Sequence, residues 1–186
     1  MSHVENLATS SAQIVRVMRM SYLHTDLKTP WGNIAAIVRS EDDTLVGAAF
    51  GELPDLVFKA GDQFGDGPMK TVRRIPFLAE SVKSWLDGDP AAFTQLQVEQ
   101  PGGEFYQKVW SALRAIPLGT VVTYSELATM AGRSMAVRAA GSACANNLIA
   151  PFIPCHRVVK TGGAIGNYGF GPELKYDLLV HEGVEF

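Results

Sequence analysis

The chain contains little cysteine, no long apolar run and no excess of positive charge. Its two cysteines, Cys144 and Cys155, lie outside any CxxC or histidine-rich spacing, which excludes a disulfide framework and argues against a metal site. It has no apolar run of about 18 residues, the length that a membrane span needs. The first residues lack the basic and then apolar regions of a secretory signal. We therefore expect no membrane association and a cytoplasmic location, or a nuclear one in a eukaryotic cell.

The charge of the chain is small overall but unevenly distributed. Sixteen Lys and Arg against nineteen Asp and Glu give a net charge of -3, which excludes a polycation that binds nucleic acid by bulk charge alone. From Phe105 to Pro172, however, there are six basic residues and one acidic residue, a local net charge of +5. Such a surface can attract phosphate, or it can be a solvated face without a partner.

The first half of the 186 residues has the pattern of a small α+β domain. Apolar, strand-forming residues predict three strands, and helical spacing of apolar residues predicts one helix. The predicted strands are Ile14–Tyr22, Gly32–Val38 and Thr44–Phe50, and the predicted helix is Ile75–Leu86. Pro101, Gly102 and Gly103 follow, so we place a boundary near residues 88–103 and predict domains at 1–95 and 96–186.

The second half is predicted to be mainly helical, with helices over Glu104–Ile116 and Pro172–His181. Between them, Ser125 can cap a short helix that ends near Met130, and Ser134 can cap another that ends near Asn146. Two short helices joined by a tight turn are typical of a helix-turn-helix, although an ordinary helical hairpin gives the same pattern.

The run Pro154-Cys155-His156-Arg157-Val158-Val159 carries the clearest chemistry. A thiol becomes a good nucleophile when a nearby imidazole or cation favours the thiolate. Adjacent residues on a strand point to opposite faces, so contact between Cys155 and His156 needs a turn or a bridging water. Arg157 can add positive potential or form an ion pair, and a buried cysteine can also be inert packing.

This run is similar to the active-site signature of the O6-methylguanine-DNA methyltransferases, and the similarity extends in order over residues 103–183. Further matching segments are Phe105–Trp110, Pro117–Tyr124, Arg138, Asn147, Gly166–Tyr168 and His181–Gly183. Two positions depart from the pattern. Leu148 stands where many relatives carry proline, and Phe170 stands among residues that are usually small, which predicts a narrower pocket and poorer reaction with bulky alkyl groups.

The resemblance implies direct repair of double-stranded DNA that contains O6-alkylguanine. The base is flipped out of the duplex, and one alkyl group passes irreversibly to Cys155 in a single turnover, without cofactor or metal, in a protein that we expect to be monomeric. The alternative is a non-catalytic protein that recognises alkylated bases. Such relatives lack the cysteine, so its presence here favours the enzyme. A Cys-His hydrolase is a remote third option, because nothing in the chain indicates an oxyanion hole.

The resemblance also implies a fold and a set of site residues. The fold is α+β, with a ribonuclease H-like N-terminal domain and a winged-helix-like C-terminal domain that contains the helix-turn-helix. Cys155 is the nucleophile, His156 deprotonates it through a water, Glu182 holds the imidazole, and Asn147 braces the turn. Arg138 fills the place of the flipped base, Tyr124 acts on the adjacent phosphate or protonates the base, and small residues, Ala139 and Gly141, face the DNA. Val158, Tyr168 and Lys175 belong to the substrate pocket.

Overall fold

The computed structural model describes residues 20–185. The first part contains a sheet and two helices: β1 (Tyr22–Thr29), β2 (Gly32–Arg39), β3 (Thr44–Phe50), α1 (Leu53–Ala60), β4 (Met69–Thr71) and α2 (Pro76–Leu86). The second part contains α3 (Glu104–Arg114), β5 (Val122–Thr123), α4 (Tyr124–Met130), α5 (Val137–Ala145), β6 (Val158–Val159) and α6 (Pro172–His181). The fold is therefore mixed α+β, and none of the helices within residues 20–185 has the length and apolarity needed to cross a bilayer.

Four strands form the main sheet in the order β3-β2-β1-β4. The pairs β1–β2 and β2–β3 are antiparallel, and β4 adds to β1 in parallel. The predicted second and third strands are present, and the acidic turn that joins them includes Asp43 at a positive φ of 56°. The predicted strand Ile14–Tyr22 falls largely outside the described residues, and the strand that the structure shows begins at Tyr22. β1, α1 and β4 were not predicted.

Helix α2 covers the sheet, as its apolar spacing predicts. Pro76 occupies the first turn, where the missing N–H costs nothing. Leu78, Val82 and Trp85 are buried in a core that also contains residues of β1, β2 and β3 together with α3, α4, α5 and α6. One apolar core thus joins the two halves of the chain.

The helices after residue 103 are present, but two predicted caps are wrong. Thr123, not Ser125, caps α4: its hydroxyl accepts from the Glu126 N–H, and the Glu126 carboxylate accepts from the Thr123 N–H, which makes a complete capping box. The cap position of α5 is Ala136, not Ser134, and it has no side-chain hydrogen bond. The helix that begins at Glu104 ends at Arg114, two residues earlier than predicted.

The segment that follows α5 is joined to the main sheet by backbone hydrogen bonds. Ala48 of β3 donates to the Leu148 carbonyl at 2.7 Å, and Ala150 donates back to the Ala48 carbonyl at 2.9 Å. This pairing holds the chain just before Cys155 against the edge of the sheet. It sets the position of the site described next.

Candidate active site

Cys155 opens a 3-10 turn, Cys155–Arg157, immediately before β6. The turn replaces the straight strand in which Cys155 and His156 would point to opposite faces. Cys155 is 7% exposed, and its Sγ accepts a hydrogen bond from Asn147 Nδ2 at 3.2 Å. Burial raises the pKa of the thiol, whereas the Asn147 hydrogen bond and the charges of Lys59 and Lys175 oppose that rise.

Asn147 uses both ends of its buried amide to fix the turn before the cysteine. Nδ2 donates to the Ile153 carbonyl at 2.8 Å as well as to Cys155 Sγ. Oδ1 accepts from the Ile149 N–H at 3.0 Å and from Gln100 Nε2 at 3.1 Å. An amide with two donor and two acceptor sites has all of them filled here, so Asn147 holds one orientation toward the sulfur.

His156, Glu182 and Arg157 form a buried hydrogen-bonded network beside the cysteine. His156 is 0% exposed and Glu182 is 3% exposed, and His156 Nε2 lies 3.1 Å from Glu182 Oε1. Arg157 binds both carboxylate oxygens, with Nε 2.7 Å from Oε2 and Nη2 2.9 Å from Oε1. Trp85 Nε1 donates to Oε1 at 3.0 Å. Of the two roles that the sequence left open for Arg157, the structure shows the ion pair.

The charges within this network determine whether His156 and Glu182 carry a proton. Burial alone would raise the pKa of Glu182, but His156 and Arg157 outweigh it and hold that pKa well below its usual range. Burial lowers the pKa of His156 despite the neighbouring carboxylate. At neutral pH Glu182 is therefore ionised and His156 neutral, with the Nε2 proton directed at Glu182. His156 Nδ1 is buried without a hydrogen-bond partner among the described residues, so it can accept a proton.

Lys175 and Tyr168 complete the surroundings of the cysteine. Lys175 is fully buried on α6, and its Nζ donates to the Val158 carbonyl. Burial lowers the pKa of Lys175 to about 8. The Tyr168 ring centroid lies 6.3 Å from that of His156, and its hydroxyl is buried without a partner within residues 20–185. Two polar atoms, His156 Nδ1 and Tyr168 Oη, therefore remain available to a bound molecule.

The remaining predicted residues share the helix pair α4–α5. Tyr124 is the first residue of α4 and is half-buried. A Cβ at Gly141 would lie 3.8 Å from the Tyr124 ring, so the ring packs over the small residues of α5. Arg138 is exposed on α5, and Ala139 is partly exposed beside it. Burial raises the pKa of Tyr124, with smaller contributions from Cys144 and Cys155. The surface of the α4–α5 helix pair is thus separate from the hydrogen-bonded network around Glu182 but adjoins the cysteine.

Three contributors to the site were missed at the level of sequence. Gln100 bonds to Asn147 and to the Leu148 N–H, the latter at 2.7 Å. Trp85 binds Glu182, and Lys59 Nζ donates to the Asn147 carbonyl at 2.7 Å. These contacts join residues 47 to 97 positions apart, and no local sequence pattern marks them.

No group of three or more His, Cys, Asp or Glu side chains that could hold a metal ion occurs in the part of the chain that the structure describes. Cys144, the second thiol, is largely packed away on α5, and burial raises its pKa well above the usual value. Of the two thiols, Cys155 is the one that lies among acid–base groups.

The second half of the chain is similar in sequence to known DNA repair proteins. Residues 104–184 match the model of the 6-O-methylguanine DNA methyltransferase DNA-binding domain. The chain is 47% identical over 87 residues to the Escherichia coli bifunctional transcriptional activator/DNA repair enzyme Ada, which covers 47% of this chain and 25% of that protein. It is 40% identical over 106 residues to a methylated-DNA–protein-cysteine methyltransferase of Salmonella typhimurium, which covers 57% of this chain and 62% of the relative.

A solved structure extends the similarity to the first half of the chain. The Mycobacterium tuberculosis protein OGT, crystallised in complex with DNA, superposes with a TM-score of 0.71 at 26% identity, over 86% of this chain and 92% of the other. The chain thus spans less than two thirds of the sequence relatives named above but nearly all of this structural neighbour.

Proposed function

We propose that the chain is a member of the O6-methylguanine-DNA methyltransferase family, whose DNA-binding domain residues 104–184 match, and that it repairs DNA by moving an alkyl group from O6-alkylguanine to Cys155. The observation that carries the proposal is the buried arrangement around the sulfur. Asn147 binds Cys155 Sγ at 3.2 Å, and the adjacent His156 is fixed by Glu182 with its Nδ1 free of any partner among residues 20–185. Nucleophile, base and orienting carboxylate are the parts that thiol activation requires.

The reaction is a displacement at the alkyl carbon. The thiol proton passes through a water to His156 Nδ1, and Glu182 stabilises the imidazolium that forms. The sulfur then forms a bond to the alkyl carbon while the carbon–O6 bond breaks, and its electron pair stays on guanine. The guanine anion takes up one proton, for which the Tyr124 hydroxyl is the proposed donor. The proton held by the His156 imidazolium then passes through water to the Tyr124 oxygen, so that both side chains end neutral. The thioether is stable, so each molecule acts once.

The helix pair α4–α5 is the proposed surface for double-stranded DNA. The damaged base must leave the stack before its alkyl group can reach a cysteine that is 7% exposed. Arg138, exposed and without an ion-pair partner among the described residues, would occupy the space of the flipped base. Ala139 and Gly141 let the α5 backbone approach the duplex, and Tyr124 would press on the neighbouring phosphate.

The flipped guanine would contact Tyr168 and the carbonyls of Cys155 and Val158. The Val158 carbonyl already accepts from Lys175, so the guanine amino group would use its second acceptor site. Lys175 would thereby orient that carbonyl. No cofactor enters any step.

The same similarity supports a finer description of the fold. We assign residues 1–95 to a ribonuclease H-like domain and residues 96–186 to a winged-helix-like domain that binds DNA and carries out the transfer. The four-stranded sheet with α2 on one face supports the first assignment. The helix pair α4–α5 with the small parallel pair β5–β6 supports the second.

Intact mass spectrometry tests the proposal. The protein is incubated with duplex DNA that carries one O6-methylguanine, with Cys155→Ala as the matched control. We expect wild type to gain the mass of one methylene group, mapped to Cys155, and the variant to gain none. Lesion-selective binding without a mass gain would instead favour a recognition protein. Neither binding nor transfer would contradict both.

A further inference from the structure

Lys59 is a cation at the site that lies outside the sequence motif around Cys155. It lies in the last turn of α1, in the first half of the chain. Its Nζ donates to the Asn147 backbone carbonyl at 2.7 Å and lies 5.7 Å from the centre of the Phe170 ring. The ammonium is therefore directed from α1 back into the site by a carbonyl and an aromatic face.

Lys59 has a counterpart on the other side of the cysteine. Lys175 Nζ donates to the Val158 carbonyl, as Lys59 Nζ donates to that of Asn147. The two carbonyls belong to the segments before and after Cys155. Neither ammonium forms an ion pair with a carboxylate within residues 20–185, and Glu182 is paired with Arg157. Two ammonium groups thus bind the backbone on either side of Cys155, with Lys175 fully buried and the Lys59 side chain partly exposed to solvent.

Glu182 and Arg157, also beside the cysteine, are charged but paired with each other, and the four other titratable groups around the sulfur are neutral near pH 7. Burial lowers the pKa of His156 and raises the pKa values of Tyr124, Tyr168 and Cys144. The charges of Lys59 and Lys175 both favour the thiolate of Cys155 against the effect of its burial. Burial also lowers the pKa of Lys59, while the thiolate opposes that change.

We propose that Lys59 is a positioning residue for Cys155. Its ammonium fixes the Asn147 turn, and hence the Asn147 amide on the sulfur, and its charge stabilises the thiolate that attacks the alkyl carbon. The inference rests on the proposed function for its biological meaning, but its physical content is a property of the thiol alone. It assigns the N-terminal half of the chain a direct part in the chemistry of a cysteine 96 residues away.

Iodoacetamide alkylation of Cys155 tests the inference without DNA. In this reaction sulfur attacks a saturated carbon, a carbon–sulfur bond forms and iodide leaves, as in the proposed transfer. The rate constant is measured from pH 6 to 10 by mass spectrometry of the Cys155 peptide, which separates it from Cys144. Lys59→Met removes the donor and the charge but keeps the length, and Lys59→Arg keeps both. Lys70→Met, at an exposed lysine of β4, controls for net charge.

We expect Lys59→Met to react about three- to tenfold more slowly at pH 7.5, with the midpoint of its pH profile moved upward by about half to one unit. Lys59→Arg should stay within about twofold of wild type, and Lys70→Met should match wild type. A Lys59→Met profile that superimposes on the wild-type profile overturns the inference. So does a variant that loses thermal stability while its midpoint stays unchanged, since that result describes a structural role only.

Transfer from O6-methylguanine in duplex DNA, measured on the same variants, separates this inference from the proposed function. If wild type transfers the methyl group and the thiol profile does not move, the function stands and the inference fails. If the profile moves but wild type transfers nothing, the effect of Lys59 on the thiol stands and the proposed function fails.

Discussion

Replacing Glu182 by Gln should destabilise the protein far more than the loss of one surface carboxylate would. Glu182 accepts hydrogen bonds from His156, Arg157 and Trp85 in an environment from which water is excluded. Gln keeps the shape and one acceptor oxygen. It removes the charge that Arg157 faces, however, and it turns an amide NH₂ toward groups that are themselves donors.

The magnitude follows from what the substitution leaves behind. Arg157 is 7% exposed, so its guanidinium would remain buried with only the Ile116 carbonyl, 2.6 Å from Nη1, as a strong partner. Removal of one member of a buried ion pair costs about 3–5 kcal/mol. A domain of this kind has an unfolding free energy of about 5–15 kcal/mol. Glu182→Gln should therefore remove a large fraction of that stability.

Urea denaturation followed by circular dichroism measures the change. We expect the midpoint to fall by about 1–2 M, whereas Glu185→Gln, at an exposed carboxylate three residues away, should change the unfolding free energy by less than about 0.5 kcal/mol. Adding Arg157→Met to Glu182→Gln removes the unpaired cation, so the double variant should be more stable than Glu182→Gln alone. A Glu182→Gln cost below about 1 kcal/mol, or a double variant that is less stable still, would refute the reasoning.

Three further outcomes follow from the structure. The folded-state pKa of Glu182 is depressed below its ordinary value of 4.5, so the carboxylate stabilises the folded state fully above that pH and progressively less as the pH falls below it. In acid titration, the free energy of unfolding of wild type should therefore fall by about 1.4 kcal/mol per pH unit more than that of Glu182→Gln. Gly102→Ala should cost about 1–3 kcal/mol in urea denaturation, since its Cβ would lie 2.5 Å from the Trp110 ring, whereas Gly103→Ala, with no atom within 4 Å, should cost less than about 1 kcal/mol. Phe170→Ala should raise the ratio of the transfer rate from O6-benzylguanine to that from O6-methylguanine in DNA by about tenfold over wild type, as measured by intact mass. Equal rates with the two substrates in wild type would contradict a pocket narrowed by this ring.

The elements that sequence patterns predicted are those in which burial follows a regular spacing. Helix α2 buries Leu78, Val82 and Trp85 on one face, so the apolar spacing and the helix agree. In β1, by contrast, His24 and Thr25 are buried alongside apolar residues. Polar residues in the interior dilute the hydrophobic pattern, so the strand was missed. Helix α1 does carry an apolar stripe, which packs on the sheet and consists of Leu53, Leu56, Val57 and Ala60. The helix spans only eight residues, so the pattern is too short to stand out in the sequence.

The errors at the helix caps have separate causes. Thr123 and Ser125 are both residues that can cap a helix, and the Thr123-x-x-Glu126 spacing of a capping box distinguishes them. At α5 no such distinction was available. Ala136 cannot accept a hydrogen bond through its side chain, so packing of α5 against α3 and α4, rather than capping, sets where this helix begins.

In the candidate site, too, residues that are close in sequence could be predicted, whereas contacts between distant segments could not. Cys155, His156 and Asn147 are near neighbours in sequence, and the motif that contains them is readable. The contacts of Lys59 and Gln100 depend on how the sheet meets the Asn147 turn. That meeting is made by backbone hydrogen bonds between Ala48 and the segment after Asn147. Backbone bonds do not require a particular side chain, so the sequence carries no record of them.

Leu148 shows how such non-local contacts compensate for a change in the motif. A proline at this position would rigidify the turn through its fixed φ but would have no N–H to donate. In this chain the Leu148 N–H donates to Gln100 Oε1 at 2.7 Å, while Gln100 Nε2 donates to Asn147 Oδ1 at 3.1 Å. The buried Gln100 side chain thus spans both residues of the turn. It supplies through two hydrogen bonds the constraint that a proline ring would supply covalently, and it thereby keeps the Asn147 amide on the sulfur.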